Sequence, residues 1–206
     1  MAPPMDEPLT EERAQLISAA ERVMARSGWW GFKVESVLKE ARLSTRSFYR
    51  HFQNKEELIA GLLEETLLEI AESMTEPVDV GCTPSQRVWD YVDRLIGKAF
   101  DPDFERPAVM FAGNWREFIP VYPNLITRCL DAFTAPLLSA LEDGVRDGTL
   151  VSGNPRADAT AVFCLVSSVL YDVPRADDGN AREKVEALVS PFIGRALGAG
   201  PNPRLD

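Results

Sequence analysis

Apolar residues recur at helical spacing along almost the whole of this chain. Leu16, Ile17, Ala20, Val23 and Met24 make the first stripe, with Thr10 placed to cap its helix and Glu11 and Glu12 near the positive end. Ser27 and Gly28 end that helix, and Trp29, Trp30 and Phe32 follow in a short connection, expected to plug a small core. Val34, Val37, Leu38 and Ala41 then repeat at i, i+3, i+4 and i+7. Ser44 reads as the N-cap of the next helix, where Phe48 and Phe52 share one face and Thr45, Arg46, Tyr49 and Arg50 the other. Two short helices and a tight turn, with rings inward and donors outward, are the layout of a helix-turn-helix.

A fourth helix opens at Asn54, which stands at capping-box spacing from Glu57. Its broad apolar face runs from Leu58 through Leu62, Leu63 and Leu67 to Ile70, and the helix is expected to end near Met74. Turn residues fill 76–82, and four further helical stretches follow: Pro84 to Phe100, a short aromatic one from Pro107 to Phe118, Pro123 to Arg146, and Pro155 to Tyr171. Asn180 begins the last, which carries Val185, Leu188, Val189, Phe192 and Ile193. Pro136 and Pro191 are expected to kink or bend their helices. Gly198 to Asp206 reads as a tail. No strand pattern survives, so the fold class is all-α: an N-terminal three-helix head (1–57) joined to a helical body (58–206) with no flexible linker between them.

The totals change this picture in one respect. The net charge of −10 argues against a nucleic-acid partner, but its distribution does not. Residues 9–55 hold nine lysines and arginines against five acids, whereas residues 61–206 hold 13 against 23. A basic head on an acidic body fits a protein that touches DNA with one end. Residues 1–12 lack the apolar run of a signal peptide, and the apolar run from Ala161 to Tyr171 is too short to span a bilayer. Cys82, Cys129 and Cys164 form no metal or redox spacing and read as reduced thiols, so the expected compartment is the cytoplasm. No cofactor or metal site is expected.

The head has a family likeness. Arg13, Ile17, Ala19-Ala20, Gly28, Val37-Leu38, Leu43-Ser44, Phe48-Tyr49-Arg50-His51-Phe52 and Lys55-Glu56-Glu57-Leu58 together resemble the DNA-binding domain of the tetracycline repressor (TetR) family. The likeness covers about the first third of the chain, and the rest matches only in helical outline. Two positions depart from it. Arg42 stands at the turn where the family usually has glycine, which serves where the backbone needs positive φ, and Lys33 stands where it often has threonine.

The resemblance implies a homodimeric, ligand-responsive transcriptional regulator, most simply a repressor, bound to a palindromic double-stranded operator and released by a small hydrophobic effector. Ser44, Thr45 and Arg46 open the reading helix, and Arg46 suits either a guanine edge or a phosphate. Tyr49, His51 and Lys55 match the positions where the family contacts phosphate, with Lys33 and Arg50 as further candidates. For His51, the sole histidine, the other reading is a helix-end residue bonded to a carbonyl. In the body, Trp89, Phe111, Trp115, Phe118, Tyr122 and Phe133 either line an effector pocket or simply pack a core. The last two helices either form a dimer interface, as the resemblance implies, or are inner members of a monomeric bundle. An all-helical enzyme and a non-DNA-binding interaction module are the competing classes. The first lacks a base, nucleophile or metal cluster, and the second leaves the outward donors of 45–50 unexplained.

Overall fold

The structure, a computed structural model, describes residues 7–75, 81–101, 122–173 and 180–203, without the side chains of residues 7–10, Trp29 and Trp30. The expected short helix at 107–118 lies outside them. The described residues form eight helices and no strand: α1 (Glu7–Gly31), α2 (Val34–Ala41), α3 (Thr45–His51), α4 (Lys55–Ser73), α5 (Pro84–Ala99), α6 (Pro123–Asp147), α7 (Pro155–Asp172) and α8 (Ala181–Leu197). The chain divides into two compact units, Met1–Thr66 and Leu67–Asp206, with the division inside α4.

In the first unit α1 packs on α2 and α3. Leu16, Ile17, Ala20, Val23, Phe32, Val37, Phe48, Phe52 and Leu58 are buried, so one face of each short helix and the Phe32 plug make a single core. Neither α2 nor α3 is long enough to persist alone, and this shared burial is what holds them. Thr10 does not cap α1: the helix starts at Glu7 and runs through it. Gly28 breaks the helix as its position suggests, with φ 64° and ψ −177°, and a further turn continues to Gly31. At α4 the Glu57 N–H donates to Asn54 Oδ1 (2.8 Å), while the Glu57 carboxylate accepts from the N–H of Gln53 (2.6 Å). The reciprocal half of the box is therefore displaced by one residue.

In the second unit α5 packs on α6, α7 and α8, α6 on α7, and α7 on α8. Thr83 and Gln86 form a complete capping box at the start of α5, and Asn154 Oδ1 accepts from the Ala157 N–H to start α7. Pro136 and Pro191 lie inside α6 and α8 without interrupting either. Each leaves the carbonyl four residues back without its donor. For Pro191 that residue is Ala187, and both are exposed, so water can take the donor's place. The residues after α8 are not a loose tail throughout. Ala199 and Asn202 are buried, the Trp89 indole N–H donates to the Ala199 carbonyl (3.4 Å), and the Val151 N–H donates to the Leu197 carbonyl (2.8 Å).

Candidate nucleic-acid interface

The helix expected to read DNA is α3. Its start is fixed by Ser44, whose Oγ accepts from the Ser47 N–H at 3.1 Å, so that hydroxyl is spent on the cap. Its inner face is held by Phe48 and Phe52, with ring centroids 5.8 Å apart. Its outer face presents Thr45, Arg46 and Tyr49 to solvent, Tyr49 at 66 % exposure despite an edge contact with the Phe48 ring. That exposure leaves the Tyr49 hydroxyl accessible to a partner outside the chain.

Ion pairing sorts the nine bases of residues 9–55 into two groups. Arg22 Nε (3.0 Å) and Arg26 Nη2 (2.6 Å) both reach the Glu40 carboxylate, tying α1 to α2. The Arg26 bond first, then that of Arg22, holds the Glu40 carboxyl below its ordinary range. Arg13 pairs with Glu65 at 2.7 Å and lies over the Phe52 ring. Arg50 donates to Glu12 at 3.0 Å and also to Ser47 Oγ. The other five, Lys33, Lys39, Arg42, Arg46 and Lys55, have no acidic partner among the described residues; Lys55 Nζ rests 5.5 Å from the centre of the Phe32 ring. These five sit before α2, in its last turn, in the turn, at the start of α3 and at the start of α4. They are the cations left to meet an external anion.

His51 is placed differently from an open phosphate donor. Its side chain is only 6 % exposed and its Nε2 lies 3.1 Å from Glu12 Oε2. Its partner is a carboxylate on α1, not the carbonyl of a helix end. Glu12 and Glu40, which brace the two short helices, carry no local signal in the sequence. Each acts on residues 14 to 39 positions away.

Residues 16–62 match the family model described as bacterial regulatory proteins, tetR family. Beyond the head, the chain is 26 % identical over 164 residues to an HTH-type transcriptional repressor of Streptomyces coelicolor, covering 79 % of this chain and 80 % of that one. The head is that of a TetR-family regulator. An uncharacterized HTH-type transcriptional regulator of Bacillus subtilis is 19 % identical over 92 % of this chain and 98 % of its own. The fold matches a TetR-family transcriptional regulator of Pectobacterium atrosepticum with a TM-score of 0.69 at 19 % identity, over 94 % of this chain and 97 % of that one. The regulator is thus a DNA-binding protein of transcription, and its head is the part that the family model spans.

The body of the regulator separates the expected pocket residues. Phe111, Trp115 and Phe118 lie outside the described residues. Trp89 is buried against the segment after α8, and Phe133 is buried with its ring 5.2 Å from that of Phe163, both within close-packed surroundings. Tyr122 is half-buried just before α6. Tyr91, which the sequence pattern does not single out, is 3 % exposed, and its hydroxyl has no hydrogen-bond partner among the described residues. Burial, aided by nearby Cys164, pushes that phenol far above its ordinary 10.0, so it stays a neutral O–H. The described residues include no metal-holding cluster and no helix long and apolar enough to cross a membrane.

Proposed function

We propose that the regulator is a homodimeric repressor that grips a palindromic operator through Lys33, Thr45, Arg46, Tyr49 and Lys55, and lets go when a small hydrophobic effector enters the body. The observation that carries the DNA reading is the sorting of charge: cations tied to acids brace the head, and unpaired ones flank the exposed face of α3. In this reading Ser44 serves the contact by fixing the start of α3, and Arg50 and His51 by anchoring its end on Glu12.

The dimer is supported by the last two helices. Tyr171 on α7 and Leu188 and Phe192 on α8 are 58 %, 62 % and 56 % exposed, the two helices pack on each other, and apolar side chains left open on them suit a second copy of the chain. Two heads would then read half-sites roughly 34–36 Å apart. The effector is supported by Tyr91, since a buried hydroxyl without a partner is a group that a bound molecule can satisfy. Release follows if that molecule favours a dimer state whose heads do not fit the operator.

Selection of duplexes from a random pool by the purified protein tests the reading. Recovery of a palindrome, lost in an Arg46→Ala, Tyr49→Ala variant that still folds and dimerises, is the expected result. Equal binding by that variant would remove the assigned face.

A further inference from the structure

The turn between α2 and α3 is closed by two backbone bonds. The N–H of Leu43 donates to the Leu38 carbonyl at 3.1 Å, and the N–H of Arg42 to that of Lys39 at 3.4 Å. This is a Schellman-type stop, in which the residue after the helix must be left-handed. Arg42 is that residue, with φ 55° and ψ 35°, and is the one non-glycine with positive φ among the described residues. A side chain is strained there, and glycine relieves the strain without altering either bond.

An arginine at such a place asks for a compensating interaction. The folded chain supplies none: Arg42 is exposed, and no acid, carbonyl or ring among the described residues engages its guanidinium. Charge at the end of α2 is not a sufficient reason, because Lys39 already occupies the last turn of that helix. What distinguishes position 42 is where it leads. It stands two residues before the Ser44 cap and three before Thr45, on the segment that delivers α3 to its partner.

We propose that Arg42 is an additional DNA-backbone contact, holding a phosphate beside the bases that the start of α3 reads, and that this chain gives up turn stability for that contact. A glycine at this position has no side chain with which to do it. The inference rests on the DNA-binding reading and adds to it a residue that the family likeness does not assign. A guanidinium suits the task, since its fork of donors matches two phosphate oxygens.

Stability and binding must therefore move in opposite directions on substitution. Arg42→Gly is expected to raise the thermal midpoint by about 1–4 °C in a chain of this size, by removing the left-handed strain. The same variant should bind the duplex that the parent selects from a random pool roughly 5–10-fold more weakly per protomer at 0.1 M salt. Its slope of log affinity against log salt should be shallower by about 0.9 for each phosphate that the protein no longer neutralises. Arg42→Asn, neutral but tolerant of the left-handed region, should reproduce the binding loss, and Arg42→Lys should keep the parental slope and the parental strain. An unchanged slope and affinity in Arg42→Gly, with the parent binding normally, would overturn the proposal and leave the DNA-binding reading intact. Failure of the parent to select any duplex at low salt would overturn both.

Discussion

The imidazole Nε2 of His51 lies 3.1 Å from Glu12 Oε2, joining the last residue of α3 to the first turns of α1. Arg50 donates to the same carboxylate at 3.0 Å, so one acid holds two consecutive residues of the reading helix. Glu12 is about three-quarters shielded, which lifts these bonds above the worth of an open surface pair. Glu12→Ala is expected to cost about 1.5–3 kcal/mol of head stability, the range for bonds to a charged group, as read by urea unfolding. Operator affinity should fall with it. A double-mutant cycle with His51→Gln should show coupling, and additive effects would mean that the pair contributes nothing.

The exposed apolar side chains of α7 and α8 make a separate test. Leu188→Arg with Phe192→Arg places two charges where a second copy of the chain is expected. At a buried interface that is prohibitive, while on a free surface it is nearly neutral. Light scattering should report twice the chain mass for the parent and one chain mass for the variant, with helix content unchanged. A parent that is monomeric at micromolar concentration would remove the dimer from the proposed mechanism.

How much of this was legible in the sequence depends on how far apart the interacting residues are. Ser44 as a cap and Phe48 and Phe52 as the buried pair are decided by bonds and faces three or four positions apart, and the pattern shows them. Glu12 with His51 and Glu40 with Arg22 and Arg26 are set by tertiary packing, and no local spacing reveals them. Thr10 was misleading because a good capping residue also fits inside a helix when earlier residues extend it. Trp89 and Phe133 show why pocket and core were not separable in the sequence: an aromatic in a helical body has one composition whether it meets a ligand, a neighbouring ring or a backbone carbonyl.

Tyr91 tests the effector reading from inside the body. Its hydroxyl is buried without a partner among the described residues, an arrangement that costs about 1–3 kcal/mol relative to a satisfied one. Tyr91→Phe keeps the ring and removes the unpaired group. The ligand-free protein should become more stable by roughly 1 kcal/mol in urea unfolding. An effector identified by its release of DNA should bind the variant less tightly, with its effect on DNA release reduced in step. Unchanged effector affinity would place the ligand away from Tyr91.

Asp143 predicts a pH dependence. Arg87 of α5 donates to its Oδ2 at 2.5 Å and Arg146 to its Oδ1 at 2.8 Å. The Arg87 bond first and the Arg146 bond second hold this carboxyl below its ordinary 3.8. A carboxyl whose folded value is depressed adds stability above the unfolded value, and that stability drains away as pH falls through the folded one. Asp143→Asn should therefore lower the thermal midpoint at pH 7, and the gap from the parent should narrow below about pH 4. A gap that stayed constant down to pH 3 would show that the ion pairs are not its cause.

Two helical glycines should respond to alanine with opposite signs. At Gly194 in α8 a Cβ would lie 2.5 Å from the carbonyl oxygen of Gly200 and 3.4 Å from the Trp89 ring. The first of these neighbours is backbone, in the segment whose Ala199 carbonyl accepts from Trp89. The alanine must push that segment off α5, at a cost of about 1–3 kcal/mol. At Gly97 in α5 the nearest atom is the Arg182 Nη1 at 4.0 Å, the end of a flexible side chain. There the substitution removes only the backbone freedom of the unfolded glycine and should stabilise by about 0.5–1 kcal/mol. Urea unfolding of Gly194→Ala and Gly97→Ala reads both signs, and faster proteolysis near the C-terminus should accompany the first alone. If Gly194→Ala were as stable as the parent, the residues after α8 would not be docked on Trp89.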